Sequence, residues 1–152
     1  MPPMTAEQTD AFLRQSRAHA VVATINKDGS PQLTPVWYHW DGRTFTFAVQ
    51  ERTLKHRNLQ RDPRLTASVH AEPNGEKYAV LSGRATIERG DVQAWRRRIW
   101  GRYVAPREVI KRLPEGSQPD PPMVVVHLVP DKLSGSHLPM MVELFASGPP
   151  AA

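Results

Sequence analysis

The chain has 152 residues, of which 39% are hydrophobic and 23% charged, as in a globular protein that can bury one core, so we expect a single domain over residues 1–152. It contains no cysteine, which excludes disulfides, thiolate metal sites and thiol catalysis and is compatible with a reducing compartment. No apolar run reaches the length of a membrane span and no signal-peptide pattern opens the chain, so we expect a cytoplasmic protein with no membrane partner.

The net charge of +5 is concentrated in two stretches. The first basic segment, residues 50–64, has five basic residues against two acids, and the second basic segment, residues 89–112, has eight against two. Two local basic patches are more typical of a protein that binds small anionic ligands. A nucleic-acid-binding protein would be expected to have a uniformly basic surface. No helix-turn-helix, zinc-finger or RNP-type pattern is present, so we expect no nucleic-acid partner. Salt-dependent binding of nucleic acid through residues 89–112 stays open as an alternative.

The first third of the chain predicts one helix followed by three strands. Residues 5–8 form a capping box that begins a helix to about residue 16, with Ala11, Phe12 and Leu13 buried. Apolar and β-branched residues predict a strand over residues 20–25, covered on both faces, and residues 26–29 predict a hairpin turn. Residues 32–40 and 43–50 predict two further strands. Pro35 has no amide donor, so its strand should bulge or lie at a sheet edge.

The first basic segment predicts a short helix that begins at a marked position. Thr53 is a suitable N-cap, and Pro63 ends the helix near Arg61. The free amides and positive dipole end of its first turn favour an anion. Arg52 and Lys55 add two cations at the same place, so phosphate is the simplest ligand. The alternative is a solvated basic helix without a ligand.

The remaining residues predict more strands, two helices and a tail. Alternating apolar residues from Leu65 indicate a strand, residues 72–76 a turn, and residues 77–89 a long strand interrupted by Gly83. Asp91 is expected to cap a helix, residues 107–113 form a shorter one, and residues 114–122 form a loop. Strands follow at residues 123–129 and 132–137, and residues 138–152 predict a flexible tail. Hairpins with inserted helices imply an antiparallel barrel, and no dinucleotide-binding glycine fingerprint opens a helix.

Two stretches carry a family resemblance. Residues 28–38 (Asp-Gly-Ser-Pro-Gln-Leu-Thr-Pro-Val-Trp-Tyr) and residues 55–64 (Lys-His-Arg-Asn-Leu-Gln-Arg-Asp-Pro-Arg) resemble the pyridoxamine 5'-phosphate oxidase-like split β-barrel family, whose members bind flavins or deazaflavins. They look most like the branch that uses the deazaflavin coenzyme F420. The resemblance extends over roughly residues 6–135 and is most specific in its first half. It implies a mainly β fold, a split β-barrel with α-helices.

The resemblance also implies a cofactor site. Lys55 would hold the cofactor phosphate as a point charge, together with Arg52 and the hydroxyl and amide of Thr53, and the strand through Thr34 would run along the ring. Tyr78 would reach the cofactor of the partner subunit. The complete set of implied cofactor-binding residues is Gln32, Thr34, Val36, Gln50, Arg52, Thr53, Leu54, Lys55 and Tyr78. Without the resemblance, residues 34–37 are only a bulged strand. Aromatic residues that could line the cavity are Trp37, Tyr38 and Trp40.

No residue pattern indicates a catalytic group. The six histidines lack metal-ligand spacing, and neither a nucleophile elbow nor a serine triad is present, so no metal site is expected. This suits an enzyme whose cofactor supplies the chemistry. The resemblance implies a homodimeric, F420-dependent oxidoreductase that transfers a hydride between the deazaflavin and a small conjugated substrate. Open alternatives are an FMN-dependent flavin reductase or oxidase and a non-catalytic F420 or flavin carrier.

The expected dimer places the cofactor between two chains. Val124, Val126 and Leu128, with Tyr78, are the residues expected to fill its apolar face. A classical pyridoxamine-phosphate oxidase is disfavoured, because the Trp/Arg-rich ending of that group has no match in residues 123–152.

Overall fold

A computed structural model of the chain describes residues 2–152, in which five helices and eight strands are present. Most of the predicted elements are confirmed, with ends that differ by one or two residues. In chain order the elements are α1 (Ala6–Gln15), β1 (Ala20–Ile25), β2 (Pro31–Val36), β3 (His39–Trp40), β4 (Phe45–Gln50), α2 (Leu54–Arg61), β5 (Arg64–His70), β6 (Lys77–Glu88), α3 (Val92–Trp100), α4 (Pro106–Arg112), β7 (Met123–Leu128), β8 (Lys132–His137) and α5 (Met140–Ala146).

The strands form one curled antiparallel sheet. Its order is β2-β1-β5-β6-β7-β4-β3, and β8 pairs with β6 outside this path. The N-terminal part of β6 pairs with β5 and β8, whereas its C-terminal part pairs with β7. This change of partners along one twelve-residue strand bends the sheet into a half-barrel. The predicted split β-barrel with inserted helices is confirmed.

The core lies inside the curl of the sheet. The predicted inward residues of β4 are buried, because Phe45 and Phe47 are fully buried, but Thr46 between them is buried as well, so this strand does not alternate. The alternation predicted for β5 from Leu65 onward is confirmed. The expectation that Val124, Val126 and Leu128 form a dimer face is wrong, since all three are fully buried core residues. β7 lies between β6 and β4 and is therefore a central strand.

The first helix and first strand agree with the sequence only in part. The capping box of α1 is present, with the Thr5 hydroxyl accepting from the Gln8 amide, and Phe12 and Leu13 are buried. Ala11 is only partly buried. β1 is covered on one face and not on both, because Val21 on its outer face is 39% exposed.

The predicted strand over residues 32–40 is divided. β2 ends at Val36 and pairs with β1, whereas β3 begins at His39 and pairs with β4. Trp37 and Tyr38 therefore cross from one end of the sheet to the other. β2 is the terminal strand of the sheet, which confirms the edge position predicted from Pro35.

Three later predictions also change. Gly83 does not interrupt β6: a Cβ there would lie 3.1 Å from Leu128 Cδ1 and 3.2 Å from the Asp131 amide, so glycine permits close packing. Asp91 occupies the N-cap of α3 but has a left-handed backbone and makes no side-chain cap bond. The flexible tail predicted for residues 138–152 instead contains helix α5, where a Met- and Leu-rich run favours helix.

Candidate functional site

A cleft of about 400 Å³ lies between α3, the start of α2 and the sheet. This volume is in the range typical of small-molecule sites. The wall is mostly apolar and contains no carboxylate, imidazole or thiol. Its lining residues are Pro35, Val36, Trp37, Ala48, Val49, Gln50, Thr53, Lys55, Arg96, Ile99, Trp100 and Met123.

The turn between β4 and α2 determines where Lys55 lies. Arg52 adopts a left-handed backbone with φ of 68°, which is unusual for a residue with a side chain. Its amide donates to His56 Nδ1 at 3.1 Å, and the Thr53 hydroxyl donates to the Gln50 carbonyl at 2.9 Å. The same hydroxyl accepts from the His56 amide at 3.3 Å, which confirms Thr53 as the N-cap. These bonds fix the first turn of the helix at the rim of the cleft.

The first turn of α2 leaves backbone donors available. In an α-helix the amides of the first turn have no acceptor within the helix. Here the Thr53 hydroxyl satisfies only the His56 amide, so the amides of Leu54 and Lys55 keep their hydrogen-bonding capacity. Together with the positive end of the helix dipole, they favour an anion beside Lys55.

Lys55 itself is partly buried and has no acidic partner within residues 2–152. Desolvation lowers the pKa of its ammonium group. Its Nζ lies 5.9 Å from the centre of the Phe47 ring, and none of the ion pairs in residues 2–152 includes it. A partly desolvated cation without a counter-charge favours binding of an anion.

Arg96 on α3 is a second cation in this cleft, and it is not among the site residues predicted from the sequence. It is partly buried, and burial lowers the pKa of its guanidinium. Its Nη1 donates to Gln93 Oε1 at 2.8 Å, and its Cζ lies 5.8 Å from the centre of the Trp100 ring. Helical spacing is the sequence feature that could have identified Arg96 as a site residue. It shares one face of the helix with Ile99 and Trp100, which lie at i+3 and i+4.

Aromatic side chains form one wall of the cleft. Trp37 stacks on Tyr103, with centroids 4.7 Å apart and planes 8° apart, and it meets Trp100 edge-on at 5.5 Å. The Trp37 Nε1 donates to His19 Nε2 at 3.2 Å, which fixes the indole ring. Of the three aromatic residues expected to line the cavity, only Trp37 does so. Tyr38 and Trp40 are buried, and their polar atoms bind the Leu13 carbonyl and Asp10.

The structure brings four of the nine predicted cofactor-binding residues together in the cleft: Val36, Gln50, Thr53 and Lys55. The other five lie outside its lining. Gln32 accepts a bond from Thr24 at 3.1 Å, and the Thr34 hydroxyl is buried without a partner among the described residues. Arg52 is exposed, Leu54 borders a separate cleft, and Tyr78 lies on β6 with its ring 6.3 Å from that of His70.

The rest of α2 anchors the helix to the sheet. Asn58 is fully buried and donates to Thr24 Oγ1 at 3.1 Å and to Asn26 Oδ1 at 2.9 Å. Arg61 donates to the Ile25 carbonyl and to Asn58, so its role is structural. Arg57 is exposed and borders the separate cleft.

Most other arginines of α3 and the turn after it bind the protein itself. Arg97 donates to the carbonyls of Leu113 and Pro114 at 2.8 and 2.7 Å. Arg98 is exposed and lies 4.6 Å from the centre of the Trp95 ring. Arg102 donates to the carbonyls of Tyr38, Leu13 and Ser16 and covers the Tyr38 ring at 4.2 Å.

Comparison with known families identifies the chain. Residues 5–137 match the family model described as pyridoxamine 5'-phosphate oxidase. The chain belongs to the pyridoxamine 5'-phosphate oxidase family. The match includes every residue that lines the cleft.

Several solved structures have a similar fold. An F420 reductase shares 24% identity with a TM-score of 0.67 and covers 80% of this chain and 92% of its own. A conserved hypothetical protein from Mycobacterium tuberculosis shares 23% identity with a TM-score of 0.69, covering 98% and 91%. A FAD-binding protein from Mesorhizobium loti shares 20% identity with a TM-score of 0.63, and the match covers 88% of this chain and 94% of that protein.

Over residues 2–152, no helix has the length and apolar character that crossing a membrane requires.

Proposed function

We propose that the protein is an oxidoreductase that uses coenzyme F420 to reduce a small conjugated organic substrate. The observation that carries this proposal is the cleft in which unpaired Lys55 and the first turn of α2 adjoin a largely apolar, aromatic wall. When bound, the deazaflavin supplies the hydride. The lining offers no imidazole, carboxylate or thiol of its own, which agrees with redox chemistry that belongs to a cofactor.

In this proposal Lys55 and the α2 amides bind the cofactor phosphate. The side-chain ammonium supplies a charge-assisted hydrogen bond, and the amides of Leu54 and Lys55 supply directed donors. The Thr53 hydroxyl serves the helix cap, so its contribution to the anion is to orient these amides. Arg52 is exposed beside the turn and is proposed to add long-range attraction.

The strand β2 and the neighbouring wall are proposed to position the ring. Val36, Ala48 and Val49 give an apolar surface that excludes water from a flat ligand. As the terminal strand of the sheet, β2 has one edge unpaired by any other strand of the described chain. This edge is available to a ring that carries hydrogen-bonding groups. The Thr34 hydroxyl is buried outside the lining of the cleft, so a contact between it and the ring is not part of the proposal.

The choice of F420 rests on the resemblance of residues 28–38 and 55–64 to its branch, supported by the similar fold of an F420 reductase. FMN is the second candidate, favoured by the family match and by the similar fold of a FAD-binding protein. A carrier without turnover is the third candidate, favoured by the lack of an evident proton donor in the cleft lining.

A two-fold homodimer is part of the proposal. Leu33 on β2 is 63% exposed and Val21 on β1 is 39% exposed, so the outer face of this hairpin has apolar surface available. We propose that it contributes to a dimer in which Gln32 and the partner subunit's Tyr78 border one cofactor site. Light scattering should give twice the chain mass at micromolar concentration. A monomer in the presence of cofactor would exclude the dimer.

The direct test of the function is absorbance titration of the protein with F420 and, separately, with FMN. We expect F420 to saturate one site per chain with a shifted spectrum and FMN to bind more weakly. The reverse order would favour the flavin alternative, and binding of neither would contradict the proposal. Steady-state turnover with reduced F420 and a panel of enones then separates an enzyme from a carrier.

A further inference from the structure

We propose that Arg96 binds a carboxylate of the substrate, so that the preferred substrates are planar conjugated acids. This inference rests on the proposed function, because it assigns Lys55 to the cofactor phosphate and leaves Arg96 for the substrate. It starts from the finding that two cations on separate helices line one cleft and that neither has an acidic partner among the described residues.

Arg96 is held in place by other side chains, and most of its donors remain available. Gln93 is buried; its Oε1 accepts from Arg96 Nη1 at 2.8 Å, and its Nε2 donates to Ser117 Oγ at 2.9 Å. These two hydrogen bonds connect Arg96 through Gln93 to the loop of residues 114–122. A guanidinium has five N–H donors, and the contact with Gln93 uses one of them. The Nε and Nη2 groups have no acceptor within residues 2–152 and can form a bidentate pair with a carboxylate.

The surroundings of Arg96 indicate the shape of the rest of the substrate. The guanidinium adjoins Trp100, and Trp37 meets Trp100 edge-on at 5.5 Å in the same cleft. Indole rings favour flat conjugated groups through offset or edge-on contacts. A planar acid would therefore lie against the tryptophans while its carboxylate faces Arg96.

The other arginines of α3 and the following turn do not offer this combination. Arg97 and Arg102 donate to backbone carbonyls, and Arg98 lies on Trp95 outside the lining of the cleft. A phosphate at the start of α2 already has an ammonium group and helix amides, which suit a compact anion. The planar fork of Arg96 matches the geometry of a carboxylate instead.

The test is calorimetric binding of trans-cinnamate and its neutral amide, cinnamamide, to the cofactor-loaded and the cofactor-free protein. We expect the wild-type protein to bind cinnamate roughly tenfold or more tightly than the amide, as a charge-assisted pair provides. In the cofactor-loaded protein, where the phosphate occupies Lys55, Arg96→Gln should abolish this preference. Arg96→Lys should retain part of it, because the charge remains but the planar guanidinium is lost. Arg98→Gln, which removes the same charge from the same helix, should retain the full preference. Cofactor affinity of Arg96→Gln should stay within about threefold of wild type.

Two results would overturn the assignment. Equal affinity of the wild-type protein for cinnamate and cinnamamide would exclude a carboxylate site. A loss of cofactor affinity in Arg96→Gln as large as that in Lys55→Ala would place Arg96 with the cofactor phosphate. Failure of the proposed function has a different signature, because the wild-type protein would then bind neither F420 nor FMN in the preceding titration, whatever its preference for cinnamate.

Discussion

The cations of the two basic segments differ in whether the chain itself supplies their hydrogen-bond acceptors. The second basic segment, residues 89–112, has the larger excess of positive charge, yet Arg97 and Arg102 donate to backbone carbonyls of the chain itself. The first basic segment, residues 50–64, has a smaller excess but contains Lys55, which borders the cleft and has no acidic partner in the described part of the chain. Hydrogen bonds to backbone carbonyls of the chain, and not the amount of charge, distinguish a structural cation such as Arg97 from a candidate ligand-binding cation such as Lys55 or Arg96.

The physical reason is the cost of desolvation. An arginine that gives up water for several carbonyl acceptors recovers hydrogen bonds inside the protein. A partly buried lysine without an acceptor does not, and its lowered pKa reflects that cost. An anionic ligand removes the cost for Lys55, whereas it would have to displace existing bonds from Arg97 or Arg102.

Of the substitutions that test this difference between the cations, Arg102→Ala should have the largest effect, and that effect should be on folding stability. Arg102→Ala leaves the carbonyls of Tyr38, Leu13 and Ser16 without this donor and removes its cover from the Tyr38 ring. We expect the free energy of unfolding to fall by about 2–4 kcal/mol, because bonds to a charged donor are among the stronger ones. Urea unfolding measures the change. Arg98→Ala, at an exposed position, should change stability by less than about 0.5 kcal/mol, and equal losses would contradict this difference.

A smaller loss of stability is expected when the buried Asn58 of the first basic segment is replaced. Asn58→Ala removes the donor to Thr24 Oγ1 and Asn26 Oδ1 and the acceptor for Arg61. We expect a loss of about 1–3 kcal/mol in urea unfolding, since these groups are buried or partly buried. The exposed Gln60 is on the same helix, so Gln60→Ala is the matched control. An unchanged midpoint in Asn58→Ala would show that the network does not anchor α2.

The pH dependence of cofactor affinity tests whether the charge of Lys55 binds the phosphate. Because burial lowers the pKa of Lys55, its charge is lost at a lower pH than that of an ordinary lysine. Phosphate binding should therefore weaken as pH rises through this lowered pKa, by at most tenfold per pH unit. Lys55→Arg should remove the decline, since a guanidinium stays protonated. The same decline in both proteins, measured by titration at several alkaline pH values, would assign it to another group.

The stability of the cofactor-free protein should show the opposite trend. A lysine whose pKa is lowered by folding binds its proton more tightly in the unfolded chain. The free energy of unfolding should therefore increase as pH rises from the lowered pKa towards the ordinary value of 10.5. Urea unfolding of wild type and Lys55→Met across that range isolates this contribution, and identical slopes would contradict it.

The sequence predicts those features that depend on neighbouring residues. The cap at Thr53, the end of α2 near Arg61 and the alternation in β5 follow from local patterns, and all are confirmed. Helical spacing places Arg96 on one face with Ile99 and Trp100, but the sequence does not place that face in the cleft, because this depends on how α3 packs against β4 and β7. The burial of Val124 and Val126 depends on the central position of β7, which a period of two residues cannot distinguish from an outer strand.

The central claim is that Lys55, and not basic charge in general, holds the cofactor phosphate. Calorimetric titration of F420 and FMN into wild type, Lys55→Ala and Arg57→Ala tests it most directly, because Arg57 is an exposed cation of the same helix that borders a separate cleft. Lys55→Ala should weaken binding of the preferred cofactor by about ten- to a hundredfold, the equivalent of one charge-assisted bond, while its melting temperature changes little. Arg57→Ala should stay within about threefold of wild type. Unchanged affinity in Lys55→Ala, or an equal loss in both variants, would contradict the account.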